Sequence, residues 1–237
     1  MSKTFLKAAW RKLALFNYEV DSAILKPFLP KGTELDLWNN TCYVSLVGFM
    51  FLNTRIKGFK IPFHTDFEEV NLRFYVRYND KGSLKRGVVF IKEIVPKPAL
   101  TFVANTIYRE NYETLPMKHL WEEKDGKQII TYSWRKKKKW HSMTLETGPE
   151  LREIGQGSEA EFITEHYWGY TQINKDKTSE YEVKHPKWQM YDVQDYTVDV
   201  DFAAMYGQQF AFLSGIKPLS VFLAEGSDIS VEAGRVI

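Results

Sequence analysis

The sequence holds a single cysteine, no long apolar run and almost no excess of either charge. Cys42 has no partner within the chain, so an intrachain disulfide is impossible and a reducing, cytoplasmic location is expected. No apolar stretch approaches the roughly 20 residues that a membrane helix requires. Lys and Arg number 32 against 30 for Asp and Glu, a net charge of +2. This balance predicts neither a nucleic-acid nor a membrane partner.

Motifs for metals, phosphates and serine nucleophiles are also missing. The five histidines show none of the spacings of metal sites, so no metal and no cofactor is predicted. Residues 155–161, GQGSEAE, lack the lysine and the following helix of a phosphate-binding loop. Residues 225–229, EGSDI, do not match the Gly-x-Ser-x-Gly pattern of a nucleophile elbow.

The composition is that of a folded domain. Hydrophobic residues make up 44% and aromatic residues 15%, which is enough for a packed core. No repeat, linker or low-complexity segment divides the chain, so residues 1–237 are predicted to form one domain. Within residues 1–20, Leu6, Ala9, Trp10 and Leu13 have helical spacing. That segment lacks the apolar region of a secretory signal and is expected to belong to the fold.

Segments with strand character recur along the chain, rich in β-branched and aromatic residues and bounded by Gly, Pro, Asn or Asp. The predicted strands cover residues 42–51, 69–78, 87–95, 128–135, 163–172, 180–185, 189–193 and 221–231. Hairpin loops are predicted at residues 79–83, 124–127 and 174–179. Cys42 lies within a strand-like run and is interpreted as a small core residue.

Helical signals are fewer. Asp21 and Ser22 are predicted to cap a short helix through residues 23–25, which Pro30 and Gly32 must end. Pro98 suits the start of a second helix over residues 99–108. A third helix is predicted over residues 201–213, although Gly207 weakens it. Many antiparallel strands with few helices indicate a mainly β (α+β) fold, either a sandwich or a closed barrel.

The stretch HTDFEEVNLRFYVR, residues 64–77, has two unlike faces. Counting alternate residues places Val70, Leu72, Phe74 and Val76 on one face and Glu69, Asn71, Arg73, Tyr75 and Arg77 on the other. In a sandwich the polar face would meet solvent, whereas in a barrel covered by helices it would line a cavity. The residues alone leave both alternatives open. The polar face carries two arginines and no lysine, and the planar guanidinium group suits a carboxylate.

Three long blocks carry a resemblance to a known family. They are VSLVGFMFLNTRIKGFKIPFHTDFEEVNLRFYVR at residues 44–77, RGVVFIKEIVPKPALTFVANTIY at residues 86–108, and FAFLSGIKPLSVFLAEGSDISV at residues 210–231. These blocks resemble the YqjF-like family (DUF2071) of uncharacterised bacterial proteins, which is more distantly similar to acetoacetate decarboxylase. The resemblance implies a cone-shaped, mostly antiparallel β-barrel with packed helices and a pocket inside. It favours the lined cavity and implies no established function.

The distant similarity can be tested at two positions. Acetoacetate decarboxylase uses a lysine as a Schiff-base nucleophile, activated by a second lysine beside it. Only Lys97 matches that lysine, with a two-residue gap, and Pro98 stands in the place of the second. Lys97 is otherwise interpreted as a surface loop residue. The resemblance implies an acid–base or substrate-orienting role for Glu69, whose alternative role is an ion pair with Arg73 or Arg77.

Three functional hypotheses follow. The leading one is a protein that binds a small anionic molecule, a carboxylate in the simplest case, in a polar pocket inside the barrel. The predicted ligand-binding residues are Asn71, Arg73, Tyr75 and Arg77, with His64 near the mouth and Glu225 as a further polar group. The first alternative is a decarboxylase-like lyase with a Schiff base at Lys97, assisted by Glu69. The second is a non-catalytic structural or interaction module. The oligomeric state is not predicted.

Overall fold

The computed structural model describes residues 4–237, apart from the side chains of residues 107 and 108, and it shows a mainly β protein as predicted. The strands are β1 (Thr4–Glu19), β2 (Glu34–Leu35), β3 (Tyr43–Ile56), β4 (Phe59–Lys60), β5 (Phe67–Asp80), β6 (Ser83–Val95), β7 (Tyr112–Thr114), β8 (Met117–Lys124), β9 (Lys127–Lys136), β10 (Lys139–Glu153), β11 (Trp168–Asn174), β12 (Lys177–Lys184), β13 (Gln189–Asp199), β14 (Ser220–Glu232) and β15 (Arg235–Val236).

The helices are short. They are α1 (Ser22–Leu25), α2 (Pro98–Val103), α3 (Glu159–Thr164) and α4 (Phe202–Tyr206), with 3-10 helices at Lys26–Phe28 and Gln208–Gly215 and a π-helical turn at Ala104–Tyr108. Among the residues that the structure describes, no helix is long and apolar enough to cross a membrane.

The long strands are joined in a closed circuit of hydrogen-bonded neighbours. The order runs β12-β11-β6-β5-β3-β1-β14, and β12 also pairs with β14 through Val183 and Val231. Strands β13, β10, β9 and β8 continue the sheet from β14. Pairing is antiparallel except between β11 and β6 and between β6 and β7.

Strand β5 buries both of its faces over residues 69–76. Val70 and Leu72 belong to one buried cluster, together with Tyr132 and Trp134 of β9. On the opposite face, Arg73 is only 8% exposed, and its neighbours Glu69 and Asn71 are also buried. The polar face therefore points into the protein at these positions, and the sandwich alternative with a solvated polar face is wrong for them.

Several local predictions are confirmed. The backbone N–H of Ala23 donates to Asp21 Oδ1 at 2.8 Å, so Asp21 caps α1 as expected. The predicted hairpin loops connect β5 with β6, β8 with β9, and β11 with β12. The third predicted helix is present but divided, because Gly207 has a φ of 110° and separates α4 from the following 3-10 helix. Cys42 is a buried core residue, and burial raises the pKa of its thiol to about 11.

Two segments show what the sequence pattern alone did not predict. Residues 4–19, whose apolar side chains have helical spacing, form the strand β1; residues 1–3 lie outside the described residues. Lys12 adopts a left-handed conformation (φ 52°), and the register against β3 shifts there. This bulge places Trp10 and Leu13 on the same side of the strand, which produces the three-residue spacing. Residues 163–172 are not one strand, because residues 163 and 164 belong to α3 and β11 begins only at Trp168. Ser158 caps α3 by accepting a hydrogen bond from the Glu161 N–H.

Candidate functional site

A cavity of about 380 Å³ is lined by residues from all seven strands of the closed circuit. This volume falls within the range of roughly 300–1,000 Å³ that is usual for small-molecule sites. Near its mouth, Ile61 of the β4–β5 loop and Val103 of α2 are exposed, at 41% and 38%. The strands and α2 thus enclose a space that a small molecule can occupy.

Aromatic rings form a large part of the cavity wall. The rings of Trp10 and Phe49 have centroids 5.2 Å apart, and those of Phe51 and Phe67 are stacked at 4.8 Å. Trp188 packs against Trp10 at 6.3 Å and extends the wall across the strands. Ring pairs with these separations stabilise one another beyond their burial alone. A ligand that fills this cavity must therefore present apolar surface.

Polar groups gather on one side of the cavity, where β5, β6 and β7 are neighbours. Glu69, Asn71 and Arg73 occupy alternate positions on β5 and line the cavity. Asn71 lies opposite Glu93 of β6, and Glu93 lies opposite Tyr112 of β7. The sheet register therefore brings side chains that are up to 43 residues apart in sequence into one cluster.

Glu69 is the best-connected member of this cluster. Asn71 Nδ2 donates to Glu69 Oε1 at 3.0 Å, and the Tyr112 hydroxyl donates to Glu69 Oε2 over a longer distance of 3.4 Å. In contrast, Glu93 Oε2 and Asn71 Oδ1 are buried with no hydrogen-bond partner. Buried polar atoms are normally paired, so this cluster has acceptors that a ligand could satisfy.

Burial raises the pKa of three glutamates that line the cavity. Desolvation raises the pKa of Glu69 to about 7 and that of Glu110 to about 8. The pKa of Glu93 lies well above its ordinary value because of desolvation and repulsion by Glu110 and Glu69. Hydrogen bonds and the charge of Arg73 partly oppose the rise at Glu69. Near neutral pH the three carboxyl groups therefore hold more protons than exposed glutamates would.

Arg73 is the positively charged group of the cluster. Its Nε is buried without a partner, and its guanidinium makes no hydrogen bond or ion pair with any part of the chain that the structure describes. Its Cζ lies 5.7 Å from the centroid of the Tyr75 ring, a weak cation–π contact. A buried charge without a hydrogen-bonded partner is costly, and a guanidinium pairs well with a carboxylate.

A second hydrogen-bonded group borders the cavity. His166 Nε2 lies 3.1 Å from Asp36 Oδ2, which also accepts from Arg86 Nε at 2.7 Å. Burial lowers the pKa of His166 to about 4 although Asp36 opposes this. A neutral His166 therefore donates its Nε2–H to the Asp36 carboxylate.

Comparison with known proteins places the chain in a family. Residues 7–228 match DUF2071, described as an uncharacterized conserved protein. The chain belongs to the DUF2071 family. The uncharacterized protein YqjF of Bacillus subtilis (strain 168) is 28% identical over 196 residues, which cover 80% of this chain and 76% of YqjF. The family resemblance drawn from the sequence blocks is confirmed.

Solved structures that resemble this DUF2071 chain are acetoacetate decarboxylase-like proteins. Acetoacetate decarboxylase from Legionella pneumophila has a TM-score of 0.65 at 15% identity, over 98% of this chain and 87% of that one. The enduracididine biosynthesis enzyme MppR complexed with pyruvate has a TM-score of 0.66 at 10% identity, over 100% and 91%. An acetoacetate decarboxylase-like enzyme from Sphingomonas wittichii RW1 has a TM-score of 0.67 at 8% identity, over 98% and 92%. At these identities the likeness shows the fold alone.

In this DUF2071 protein, four of the eight predicted site residues line the cavity, namely Glu69, Asn71, Arg73 and His64. Tyr75 does not. It is buried beyond the cavity lining, with its hydroxyl 2.7 Å from Ser45 Oγ. Arg77 is exposed and pairs with Glu34 at 3.2 Å. A strand rises about 3.3 Å per residue, so the face from residue 69 to 77 spans about 26 Å and extends past the cavity.

Lys97 and Glu225 also lie outside the cavity lining. Lys97 Nζ donates to the carbonyl oxygen of Phe63 at 2.7 Å, and no lysine is among the cavity-lining residues within the described part of the chain. Glu225 follows Ala224, which packs in the same buried cluster as the cavity residues Phe49 and Phe51, so Glu225 points to the other face of β14. It pairs with Lys12 Nζ at 2.8 Å.

Sequence reasoning did not assign a site role to Glu93, Glu110, Tyr112 or His166. A charged residue within the apolar run GVVFIKEIV was a usable signal for Glu93, because buried strands seldom carry an unpaired carboxylate. His166 had no such signal, since its partner Asp36 is 130 residues away in the sequence.

Proposed function

We propose that this DUF2071 protein binds a small organic carboxylate in its cavity, with Arg73 as the anchor for the carboxylate group. The observation that carries this proposal is the buried Arg73 guanidinium, which lines the cavity and has no hydrogen bond or ion pair within the described chain. A carboxylate can accept two parallel N–H bonds from such a group and neutralise its charge. The proposal includes closure of the strand circuit as a β-barrel around the ligand.

The cavity's size and wall support a ligand with an apolar body. The volume of about 380 Å³ and the rings of Trp10, Phe49 and Phe51 favour a molecule larger and less polar than a bare anion. The fold neighbour MppR is described in complex with pyruvate, which is itself a small carboxylate. The alternative of a structural module with a solvated polar face loses its support, because Glu69, Asn71 and Arg73 are buried.

A thermal-shift screen of aliphatic, aromatic and 2-oxo carboxylates tests the proposal. A ligand at about 100 times its dissociation constant adds about 2.7 kcal/mol to stability, which is easily detected. We expect at least one carboxylate to stabilise the wild type and Arg77→Met but not Arg73→Met. Arg77 is the matched control, because it lies on the same strand and is exposed. A stabilisation that persists in Arg73→Met would refute Arg73 as the anchor.

A second candidate function is proton-transfer catalysis by Glu69, and the observation that favours it is the pKa of about 7 of this cavity carboxyl group. A general acid or base works best when its pKa lies near the working pH. We expect that a carboxylate found in the screen exchanges its α-hydrogens with D2O faster in wild type than in Glu69→Gln, with a rate ratio of about 100 or more. NMR of the ligand measures this rate. Equal rates in the two proteins would reduce the function to binding.

A further inference from the structure

We infer that the molecule held in this cavity carries a basic nitrogen as well as a carboxylate, as an apolar amino acid or a close derivative does. The inference rests on the proposed function, in which Arg73 binds the carboxylate. It adds a second recognition element, the acidic cluster formed by Glu69, Glu93 and Glu110, which lines the same cavity.

The charges of the cavity do not match a ligand that is only an anion. A monocarboxylate would pair with Arg73 but not with the acidic cluster, and it would be repelled as Glu69 and Glu110 lose their protons above about pH 7. The positive charge of Arg73 and the negative charge of the ligand carboxylate would then cancel. The acidic cluster would still have no cation paired with it inside the cavity. A ligand ammonium group fills this gap, because it pairs with one ionised glutamate and donates to the others.

Unpaired acceptors mark where the ligand nitrogen would bind. Glu93 is 2% exposed and its Oε2 has no partner; Asn71 is 1% exposed and its Oδ1 has none either. Asn71 precedes Arg73 by two residues on the same face of β5, and Glu93 lies opposite Asn71 on β6. The acceptors and the guanidinium are therefore neighbours along one wall, as a molecule with a carboxylate and a nearby nitrogen requires.

An organic cation suits these acceptors better than a metal ion. Within residues 4–237 no group of histidine, cysteine or acidic side chains has the arrangement of a metal site. Metal ligands converge on one point at roughly 2.0–2.6 Å. An ammonium group donates three hydrogen bonds to heavy atoms that are farther apart, and the polar wall here spans two neighbouring strands.

The remaining titratable groups of the cavity do not supply the missing cation near neutral pH. Burial lowers the pKa of His166 to about 4 and also lowers the pKa of His185. Burial raises the pKa of Tyr112 and Tyr181 above their ordinary values, so both phenols stay neutral. His64, near the mouth, and Glu232 complete the titratable lining.

The two ligand classes differ in the sign of their pH dependence. An ammonium group needs an ionised glutamate, so the affinity of an amino acid rises as pH passes through about 7 to 8, where Glu69 and Glu110 ionise. A monocarboxylate is repelled by the same ionisation, so its affinity falls over that range. In a free amino acid the neighbouring carboxylate stabilises the ammonium group, which therefore stays protonated over this range and does not obscure the effect.

Calorimetric titration of matched pairs tests the inference. The pairs are leucine with 4-methylpentanoate, phenylalanine with 3-phenylpropionate, and tryptophan with indole-3-propionate, each measured between about pH 6 and pH 8.5. In at least one pair we expect the amino acid to bind about tenfold tighter than its desamino partner at the upper pH, as a charge-assisted hydrogen bond provides. Glu69→Gln should reduce this ratio, and the exposed control Glu122→Gln should not.

Each other outcome has a definite meaning. Tighter binding of the desamino acid in every pair, with an affinity that falls as pH rises, overturns the inference and leaves the proposed function intact. If neither member of any pair binds and the carboxylate screen also yields no ligand, the proposed function fails and the inference fails with it. A pH dependence that disappears in His64→Asn would assign the titration to the mouth rather than to the acidic cluster and would also overturn the inference.

Discussion

Arg73→Met is expected to raise the free energy of unfolding of the ligand-free protein by about 1–4 kcal/mol while it removes carboxylate binding. Burying an ion costs several kcal/mol of desolvation, and an apolar side chain of similar length in the place of an unpaired buried charge removes that cost. The charge that is removed here has no hydrogen-bonded or ion-paired partner in the described chain, so no interaction of that kind is lost with it. Methionine is unbranched and flexible and can fill the space of the arginine stem.

The substitution does not leave an uncompensated carboxylate behind. Arg73 is one of the causes that hold the pKa of Glu69 down, so its removal raises that pKa further. Glu69 then binds a proton near neutral pH instead of remaining as a buried anion. Asn71 can still donate its hydrogen bond to Glu69 Oε1. Arg73→Met is expected to stabilise the protein because Glu69 takes up this proton.

Urea denaturation of wild type, Arg73→Met and Arg77→Met at neutral pH measures the effect. The exposed pair of Arg77 with Glu34 is worth about 0–1 kcal/mol, so Arg77→Met should change stability by no more than that. A loss of stability in Arg73→Met would show that Arg73 is needed by the fold, and the argument for an anchoring role would lose its basis. A stabilised variant that no longer binds would mark Arg73 as a residue retained for function at the expense of stability.

The alternation of β5 is the part of the site that the sequence predicts correctly. Side chains of a strand alternate between its faces. The sequence alone therefore places the apolar residues at 70, 72, 74 and 76 on one face and the polar residues at 69, 71 and 73 on the other. The sequence does not show where the cavity ends, so alternation also predicts Tyr75 and Arg77 in its lining. Neither Tyr75 nor Phe162 of α3 lines the cavity, and their rings pack against each other with centroids 5.4 Å apart.

Strand β6 shows why alternation alone does not place every residue. Val88 and Phe90 line the cavity, and simple alternation would add Lys92 to the same face. The register against β5 shifts between Leu72 and Arg73, which inserts one extra residue into β6. Glu93 therefore faces the cavity, whereas Lys92 Nζ points away and donates to Glu113 at 2.9 Å. One bulge thus places an acidic residue in the cavity instead of a cationic one, and no sequence pattern predicts this bulge.

The free energy of unfolding is expected to fall as pH rises from about 4.5 to about 8, and Glu69→Gln should remove part of that fall. The pKa of Glu69 is raised from 4.5 to about 7 in the folded protein, so the folded state binds more protons than the unfolded state over this window. Stability decreases with pH wherever the folded state binds more protons. For Glu69 the full loss above pH 7 is about 3 kcal/mol.

Comparison of wild type with Glu69→Gln separates this effect from that of His166. The pKa of His166 is lowered to about 4 from 6.5, so its contribution has the opposite sign and stability is lost as pH falls from 6.5 toward 4. Glu69→Gln should therefore match wild type near pH 4.5 and exceed it near pH 8, whereas the exposed control Glu122→Gln should stay parallel to wild type. Curves for wild type and Glu69→Gln that stay parallel would show that Glu69 ionises normally.

Ionisation of the acidic cluster affects both the stability of the protein and the binding of its ligand. Ionisation of Glu69 and Glu110 above pH 7 destabilises the empty protein because their charges are buried and repel one another. A bound ammonium group would pair with those charges and restore the lost stability, and a bound monocarboxylate would not. The increase in stability that an amino acid confers on wild type should therefore be larger at pH 8 than at pH 6, and this difference should shrink in Glu69→Gln. A bound desamino acid should show the reverse order with pH.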